Sequence, residues 1–350
     1  MKYLKLKEIA KLKNGKKCNY DVNGIIPVYG SNGIIGYTDN LNSPENSIII
    51  GRVGANAGSV FYSFKKHWVS DNAISVVPNI NKINSFYLYY ALYSLDLNRL
   101  VEGSAQPLLN QSILNSVEIK VPPLSVQNSI VEKIRAFDEK IAVNNQINDN
   151  LLELNDKVFS KIFCDEKKFI EAQKIANIKI GKTPPRKEKN WFSSKGITWI
   201  SISDMKTNVP FINSSKEQIS LKAIKKFNIP KVKPKTIILS FKLTIGRVKI
   251  ASSTLTTNEA IVEFDDAQLP YQFLYSYLKK FNFEALGNTS SIAKALNSKI
   301  IKKMPIMLPS RKSLNKYILF STPIFHFLEE KQIENSILNN IKRELLQQYF

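Results

Sequence analysis

The sequence predicts a mixed α/β (α+β) protein in which two similar globular domains are separated by a pair of long antiparallel coiled-coil helices. Three observations carry this prediction. Residues 125–163 contain neither Gly nor Pro, short β-prone segments precede them, and the same order of segments recurs after them. Together these observations indicate an internal duplication with pseudo-two-fold symmetry.

Runs of β-branched residues broken by Gly fill the first part of the chain. The clearest of them are 26–40, 47–63 and 68–78. Such runs favour strands joined by tight turns. The aromatic-rich segment 86–95 favours a helix, and the pair Pro122-Pro123 closes this part of the chain. We therefore predict a domain built on a sheet with few helices.

Residues 125–163 are predicted to form one long helix. Apolar residues recur every three to four positions from Ile130 to Ile162, which indicates a single buried helical face. Ser125 is a suitable N-cap. The helix would be roughly 55 Å long, at about 1.5 Å per residue. Because this exceeds an ordinary globular helix, we expect a spacer or a coiled-coil strand.

Three asparagines, Asn144, Asn148 and Asn155, interrupt this apolar face. Polar residues at such positions fix the register and the partner of a coiled coil at some cost in stability. The helix therefore requires a specific partner helix.

A repeat within the chain supplies that partner. Near the start of each copy, Ile9-Ala10 recurs as Ile175-Ala176, 166 residues later. Farther along, matching residues are 187 residues apart, as in Asn110 with Asn297 and Pro122 with Pro309. The second copy is therefore 21 residues longer, and the extra residues fall between Gly181 and Ala260. The two copies agree at their ends and differ in their middles.

The second copy of the long helix is predicted at 310–350. We expect it to pack antiparallel to the first along a seam. The seam residues are Ile134, Phe137, Ile141, Asn144, Asn148 and Leu151 in the first helix and Phe325, Leu328, Ile337 and Ile341 in the second. Pro323 is tolerated only in the first turn of a helix. We therefore expect a kink or a new helix start there, with Thr322 as the cap.

The charge balance of the chain points to a polyanionic partner. Its 350 residues include 50 Lys and Arg against 29 Asp and Glu, a net charge of +21. Such an excess indicates nucleic acid or, less often, an anionic membrane. No run approaches 18 apolar residues and the first residues have no signal-peptide core. We therefore expect a cytoplasmic DNA-binding protein without a membrane partner, whose Cys18 and Cys164 are reduced thiols.

No catalytic chemistry is visible in the sequence. It has no phosphate-binding loop of the G-x-x-x-x-G-K-[ST] type and no Asn-Pro-Pro-aromatic or Asp-Pro-Pro-aromatic motif of an amino-methyltransferase. The glycines Gly51, Gly54 and Gly58 lack the dinucleotide-binding spacing, and turn or packing roles explain them better. His67 and His326 have no nucleophile or metal-ligand set near them in sequence. We therefore predict no catalytic, cofactor-binding or metal-binding residues.

The duplicated basic unit, with a variable middle and a long helix after each copy, resembles the specificity subunit of type I restriction-modification systems. The resemblance covers essentially the whole chain and rests on the order of its motifs, which occurs twice. The motifs are IPVYGSNGIIGYTDN at 26–40, IIIGRVGANAGSV at 48–60, GSAQPLLNQSILNSVEIKVPPLSVQ at 103–127, GITWISISDMK at 196–206, TIILSFKLTIGRV at 236–248 and LNSKIIKKMPIMLPS at 296–310.

The resemblance implies four parts of the chain. They are a first target recognition domain at 1–124, a central conserved spacer helix at 125–164, a second target recognition domain at 165–309 and a C-terminal conserved spacer helix at 310–350. Each recognition domain would read one half of a bipartite double-stranded DNA site. Because the two domains differ in their middles, the site would be asymmetric.

The resemblance also implies partner subunits. The helices would fix the unread spacer and dock two methyltransferase subunits, and a restriction and translocase subunit would join for cleavage. S-adenosylmethionine, ATP and Mg²⁺ are then expected only in the partner subunits. The chain itself would be a non-catalytic specificity subunit.

Candidate DNA contacts are polar and basic residues in predicted loops. Lys and Arg would contact phosphates, whereas amide, hydroxyl and guanidinium groups would read base edges. The candidates in the first domain are Tyr29, Ser31, Asn32, Lys65, Lys66 and Gln106, and those in the second are Lys182, Arg186, Lys187, Lys189, Lys242, Arg247 and Lys294. A surface or turn role is the alternative for each, and for Tyr29 packing is favoured.

Three other functions remain open from the sequence. An orphan specificity protein that serves only a methyltransferase would differ in its neighbouring genes. A standalone DNA-modifying enzyme with an unrecognised catalytic motif would show activity or S-adenosylmethionine binding as a purified chain. A basic coiled-coil scaffold would bind every duplex alike and be weakened equally by salt on each.

Overall fold

A computed structural model describes residues 2–101, 108–286 and 296–350. The chain divides into two compact units. Unit 1 comprises Met1–Ile141 with Ile337–Phe350, and unit 2 comprises Ala142–Ser336. The division falls within the two long helices, so each unit contains part of both.

Besides its parts of the two long helices, unit 1 has nine strands and three short α-helices among its described residues. The strands are β1 (Lys2–Lys5), β2 (Ala10–Asn14), β3 (Ile26–Gly30), β4 (Gly33–Thr38), β5 (Ser47–Gly51), β6 (Val60–Ser63), β7 (Trp68–Val69), β8 (Ala73–Pro78) and β9 (Glu118–Val121). The helices are α1 (Leu6–Ile9), α2 (Ser85–Ser94) and α3 (Gln111–Ser116).

These strands form one larger sheet and two smaller ones. The larger sheet is antiparallel and has the order β2-β8-β5-β6. A smaller sheet has the order β4-β3-β7, in which β3 and β7 are parallel, and β1 pairs with β9. Every residue of β5 is buried, because both faces of this central strand are covered.

The long central helix, α4 (Leu124–Ile162), begins in unit 1. Ile130 and Ile134 of this helix join the core that the larger sheet forms with α2. Leu346, near the other end of the chain, is part of the same core. The helix starts at Leu124 rather than after an N-cap at Ser125. The prediction of that cap was therefore wrong, and Ser125 lies in the first turn.

Unit 2 repeats the topology of unit 1. Its strands are β10 (Phe169–Glu171), β11 (Asn177–Ile180), β12 (Phe192–Ile200), β13 (Phe211–Ile212), β14 (Glu217–Ile219), β15 (Ile237–Ser240), β16 (Val248–Ala251), β17 (Thr256–Thr257), β18 (Ile261–Asp265) and β19 (Pro305–Met307). Its helices are α5 (Leu221–Phe227), α6 (Tyr271–Lys280) and α7 (Ser298–Lys303), followed by the long helix α8 (Arg311–Tyr349).

The strand orders of the two units correspond, except that the larger sheet of unit 2 has one additional strand. The larger sheet of unit 2 has the order β11-β18-β15-β16-β13, the smaller has the order β14-β12-β17, and β10 pairs with β19. Strand β13 and helix α5 have no counterpart in unit 1, and both lie in the interval where the sequence places the 21 extra residues. The predicted duplication and mixed fold are therefore confirmed.

The two long helices have the same length, 39 residues each. Within unit 2 they run antiparallel, since Asn144 Nδ2 donates to Asn335 Oδ1 at 2.8 Å whereas Tyr317 Oη donates to Asn155 Oδ1 at 2.9 Å. Within unit 1, Lys342 Nζ and Asp138 Oδ1 are 2.5 Å apart. No helix among the described residues has the length and low polarity that crossing a bilayer needs.

The buried face of the helix pair differs from the predicted seam at two positions. Ile337 and Ile341 are 53% and 39% exposed, so they do not belong to the buried face, which includes Asn335 and Leu346 instead. The prediction assumed that one partner helix covers the apolar face of α8 along its whole length, with apolar residues at a regular spacing. Contacts with the sheets and short helices of each unit decide which residues are buried.

The remaining seam candidates are at least partly covered. Ile134, Asn144, Asn148, Phe325 and Leu328 are buried. Phe137, Ile141 and Leu151 are half-buried. Phe325 and Leu328 belong to the core of unit 2, together with residues of its larger sheet and of α6. These side chains therefore attach α8 to the globular part of unit 2.

Helix α8 contains Pro323 in its interior. The expectation of a new helix start with Thr322 as cap is therefore wrong, and the Thr322 hydroxyl accepts a hydrogen bond from Gln272 Nε2 at 3.3 Å. A proline inside a helix costs about 3 kcal/mol, because it removes one backbone hydrogen bond and crowds the preceding turn. Burial of Phe325 and Leu328 just after it in the core of unit 2 offsets this cost.

We predict that Pro323→Ala raises the free energy of unfolding of unit 2 by about 1–3 kcal/mol, because Ala restores the missing backbone hydrogen bond. Chemical denaturation followed by circular dichroism measures the change. Gln347→Ala, at an exposed position of the same helix, should change stability by less than about 0.5 kcal/mol. A loss of stability in Pro323→Ala would contradict this account of the helix.

Candidate nucleic-acid interface

Three connections between strands meet in unit 1 and form what we call loop cluster 1: residues 31–32, 52–59 and 70–72. The Ser31 hydroxyl donates to the Asn72 carbonyl at 2.6 Å and accepts from the Val53 N–H at 3.2 Å. Asn56 Nδ2 donates to Asn32 Oδ1 at 3.2 Å. Side chains with both donor and acceptor groups are thus held together on one surface.

Glycines allow these loops to approach one another. Gly58 has φ of +89°, and a Cβ there would lie 2.5 Å from the Asn98 backbone nitrogen. Gly54 has φ of +72° with open space around it. The backbone conformation and the close approach account for the glycines of this segment, as the turn interpretation of the sequence expected.

Unit 2 has a corresponding loop cluster 2, formed by residues 201–204, 241–247 and 258–259. These segments follow the strands of unit 2 that are equivalent to the strands before the segments of loop cluster 1. Arg247 Nη1 donates to the Ile202 carbonyl at 2.7 Å, and the Asn258 N–H donates to the Ile200 carbonyl at 3.0 Å. The scaffold is shared, but the side chains it presents differ from those of loop cluster 1.

The predicted DNA contacts of unit 1 include one residue that packs inside the unit and several that are exposed. Tyr29 is half-buried and meets the His67 ring edge-on at 5.2 Å, which supports the packing role. Burial lowers the pKa of His67 below its usual value. Asn32 is exposed in loop cluster 1, and Lys65 and Lys66 are exposed in the turn before His67.

The predicted DNA contacts of unit 2 include exposed residues and residues that make hydrogen bonds within the unit. Lys187 and Lys242 are exposed, and Lys242 lies in loop cluster 2. Lys182 Nζ donates to the Phe227 carbonyl at 3.3 Å. Arg247 is half-buried and joins two connections of loop cluster 2. Gln106, Lys294 and the side chain of Lys189 lie outside the described residues.

Arg186 has a structural role that the sequence analysis did not anticipate. Its guanidinium makes two hydrogen bonds to the Glu217 carboxylate, at 2.5 and 2.9 Å. The same group lies over the rings of Phe192 and Trp199, at 4.3 and 4.9 Å from their centroids. The ion pair raises the pKa of Arg186 further above its usual value. This side chain therefore braces the smaller sheet of unit 2.

Comparison with known proteins decides the family. Residues 1–153 and 165–347 both match the family described as the type I restriction modification DNA specificity domain. The chain belongs to this family. The two matched segments account for nearly all of the sequence, in agreement with the duplicated topology.

Individual relatives in the specificity-domain family are distant. The putative MjaX type I restriction enzyme specificity subunit of Methanocaldococcus jannaschii is 24% identical over 339 residues, which are 87% of this chain and 75% of that protein. A putative type I restriction enzyme specificity subunit of Haemophilus influenzae is 29% identical over 139 residues. That match spans 38% of this chain and about a third, 36%, of the relative's length.

A solved structure shares the fold of this specificity-domain chain. The crystal structure of the S subunit of a type I restriction-modification system from Mycoplasma genitalium superposes with a TM-score of 0.61 at 18% identity. The superposition covers all of this chain and 96% of the other.

Several residues at the site escaped the sequence analysis of this specificity-domain protein. Asn56 of loop cluster 1 was missed because the glycine run around it was assigned a turn or packing role, and Asn72 because it falls in a run assigned to a strand. The repeat, in which Gly58 recurs as Gly246, indicates that 52–59 and 241–247 are equivalent loops. Lys249 in strand β16, outside loop cluster 2, has a structural role that the sequence did not indicate: it is 3% exposed, and its Nζ donates to the Thr207 and Val209 carbonyls.

Lys249 attaches the extra segment of unit 2 to strand β16. Burial and, to a smaller extent, the nearby positive charges of Lys279 and Arg247 together lower the pKa of its ammonium to about 7. The unfolded chain has the ordinary pKa of about 10.4. Between these two values only the unfolded state keeps the proton. The free energy of unfolding therefore rises with pH across this window and is independent of this group below it.

We predict that Lys249→Met removes this pH dependence. Denaturation of both proteins between pH 6.5 and 9.5 should give a stability difference that is constant near the lower limit and then increases in favour of the wild type as pH rises. A difference that does not change over this interval would show that Lys249 keeps its proton in the folded protein.

We also predict that Arg186→Ala lowers the free energy of unfolding by about 1 kcal/mol, since a partly exposed ion pair and two ring contacts are lost. Lys187→Ala, at the exposed neighbouring position, should leave stability unchanged but weaken binding to every duplex and reduce the salt slope by about 1. Unchanged stability of Arg186→Ala together with weaker DNA binding would assign Arg186 to the DNA instead.

Proposed function

We propose that this chain is the non-catalytic DNA-recognition subunit of a type I restriction-modification complex, in which each unit reads one half of an asymmetric bipartite site. One observation carries the proposal. The same strand connections meet in loop clusters 1 and 2, but the residues they present differ. A shared scaffold with different loops suits two readers of different sequences.

The chemistry of the loops supports DNA reading. Asn32 and Asn56 in unit 1 carry amide groups that can pair with adenine edges in the major groove. In unit 2 the loops present Ser203, Lys242 and Thr244, whose hydroxyl and ammonium groups can contact base edges and phosphates. The net charge of +21 supplies the sequence-independent attraction to phosphates.

The helices have the features of a spacer. Both α4 and α8 continue through the boundary between the units without interruption. Each contributes to the core of both units, and buried asparagines fix their register in unit 2. We propose that this pair sets the length of DNA left unread and docks two methyltransferase subunits. A restriction and translocase subunit would join for cleavage, and S-adenosylmethionine, ATP and Mg²⁺ would be bound by the partners.

The spacer role can be tested by lengthening both helices at the unit boundary. We predict that inserting seven helix-forming residues after Ile141 and seven after Ser336 lengthens the unread gap by about three base pairs. Seven residues add two helical turns and about 10.5 Å, which keeps the buried faces aligned. The sites lie between the Asp138–Lys342 pair of unit 1 and the Asn144–Asn335 pair of unit 2, so both pairs survive.

Methylome sequencing of cells that express the variant with its partner subunits gives both half-sites and the gap. Ala142→Gln, an exposed substitution at the same place without a change of length, should leave all three unchanged. The spacer role is wrong if the lengthened protein methylates a site with altered half-site bases or with the original gap.

A further inference from the structure

Strands β15 and β16 of unit 2 form an antiparallel hairpin whose connection contributes to loop cluster 2. Leu243 lies at the tip of this connection. Its side chain is 92% exposed, and its backbone has φ of +61°. An apolar side chain is thus directed into solvent from a backbone conformation that L-residues other than Asn and Asp seldom adopt.

The fold of unit 2 does not account for a leucine at this position. Gly or Asn would adopt the left-handed conformation at lower cost, and a side chain so exposed contributes almost nothing to the core. The equivalent loop of unit 1 has glycine at both of its left-handed positions, Gly54 with φ of +72° and open space around it, and Gly58 with φ of +89°. Strain that the fold does not require is a reason to look for a function.

The loop that presents Leu243 is firmly held. Ser240 accepts the N–H of Gly246 at its carbonyl, at 3.0 Å, and its hydroxyl donates to the Thr244 carbonyl at 2.6 Å. Phe241, two residues before Leu243, is fully buried in the core of unit 2. The backbone that carries Leu243 is therefore held in place, which lowers the entropic cost of ordering the loop on binding.

The size of the hairpin decides which part of DNA Leu243 can reach. The major groove, about 12 Å wide, admits a two-stranded ribbon, whereas the minor groove is about 6 Å wide. The apolar group that base pairs present in the major groove is the thymine 5-methyl. The exposed Lys242 beside Leu243 provides a cation for the flanking phosphates.

We propose that Leu243 reads a thymine in the half-site of unit 2 by contacting its 5-methyl group. The inference rests on the proposed function, because it requires that unit 2 reads DNA. At the equivalent position of unit 1, Gly54 carries no side chain that could make this contact. The two half-sites thus differ in the kind of contact as well as in sequence.

The test combines one substitution in the protein with one in the DNA. The chain with its methyltransferase partner is titrated with the duplex site, in which deoxyuridine replaces one thymine at a time and so removes only the methyl group. At one thymine of the unit 2 half-site, the wild type should bind the uracil duplex about fourfold more weakly, which is the effect of one methyl-sized apolar contact. Leu243→Asn should bind the two duplexes equally.

Leu243→Asn is expected to fold normally, because Asn is tolerated in the left-handed conformation. Ile80→Asn is the matched control: Ile80 is 74% exposed, in the turn at the opposite end of β8 from loop cluster 1. This variant should retain the full uracil penalty.

Two results would overturn the inference. One is that no uracil substitution in the half-site affects wild-type binding, which includes a half-site without thymine. The other is that Leu243→Asn still binds the uracil duplex more weakly than the thymine duplex by the wild-type factor. This includes the case in which the variant loses affinity for both duplexes by the same factor, as it would if Leu243 were a wedge between base pairs. The proposed function fails separately, if the complex shows no preference for any sequence that depends on unit 2.

Discussion

Asn155 is fully buried in unit 2, and the structure around α4 and α8 depends on satisfying its amide. Its Nδ2 donates to Ser276 at 2.9 Å and its Oδ1 accepts from Tyr317 at 2.9 Å, so α4, α6 and α8 meet at one side chain. A displacement of either long helix by one turn would leave these groups unpaired, at a cost of about 1–3 kcal/mol for each. The same displacement would break the hydrogen bond that Asn144 Nδ2 donates to Asn335 Oδ1. The polar contacts give the helix pair one register, which a purely apolar face would not specify so strictly.

Because the polar contacts hold the helix pair in this register, the loops of each unit can differ in sequence without disturbing the helices. The larger sheets of the two units share a strand order, and their cores contain corresponding short helices, α2 and α3 in unit 1 and α6 and α7 in unit 2. Differences accumulate in the connections. Unit 2 carries β13 and α5 in addition, and Lys249 and Gln332 attach β13 and the residues before it through hydrogen bonds to the backbone of 207–211. The hairpin loop carries Leu243 where unit 1 has Gly54.

The duplication, the fold class and the long helices were predictable because they depend on patterns that extend over many residues. A repeat spacing and an apolar period survive local substitutions, so Asn144 and Asn155 could be placed on the buried face before the structure was known. Predictions that depend on tertiary contacts were less accurate than those that depend on long sequence patterns. Pro323 lies inside a helix because the core of unit 2 holds both sides of it, and Ile337 is exposed because the neighbouring elements leave it uncovered. Arg186 could not be assigned from charge alone, since Glu217 lies 31 residues away in the chain.

The division of labour between the units is tested most directly by altering one loop cluster and reading the whole methylated site. Asn32→Ala combined with Asn56→Ala removes the amides of loop cluster 1 and leaves unit 2 and both helices untouched. Methylome sequencing of cells that express this variant with its partner subunits should show relaxed or altered bases in one half-site, with the other half-site and the gap unchanged. Changes in both half-sites, or a change in the gap alone, would contradict the account.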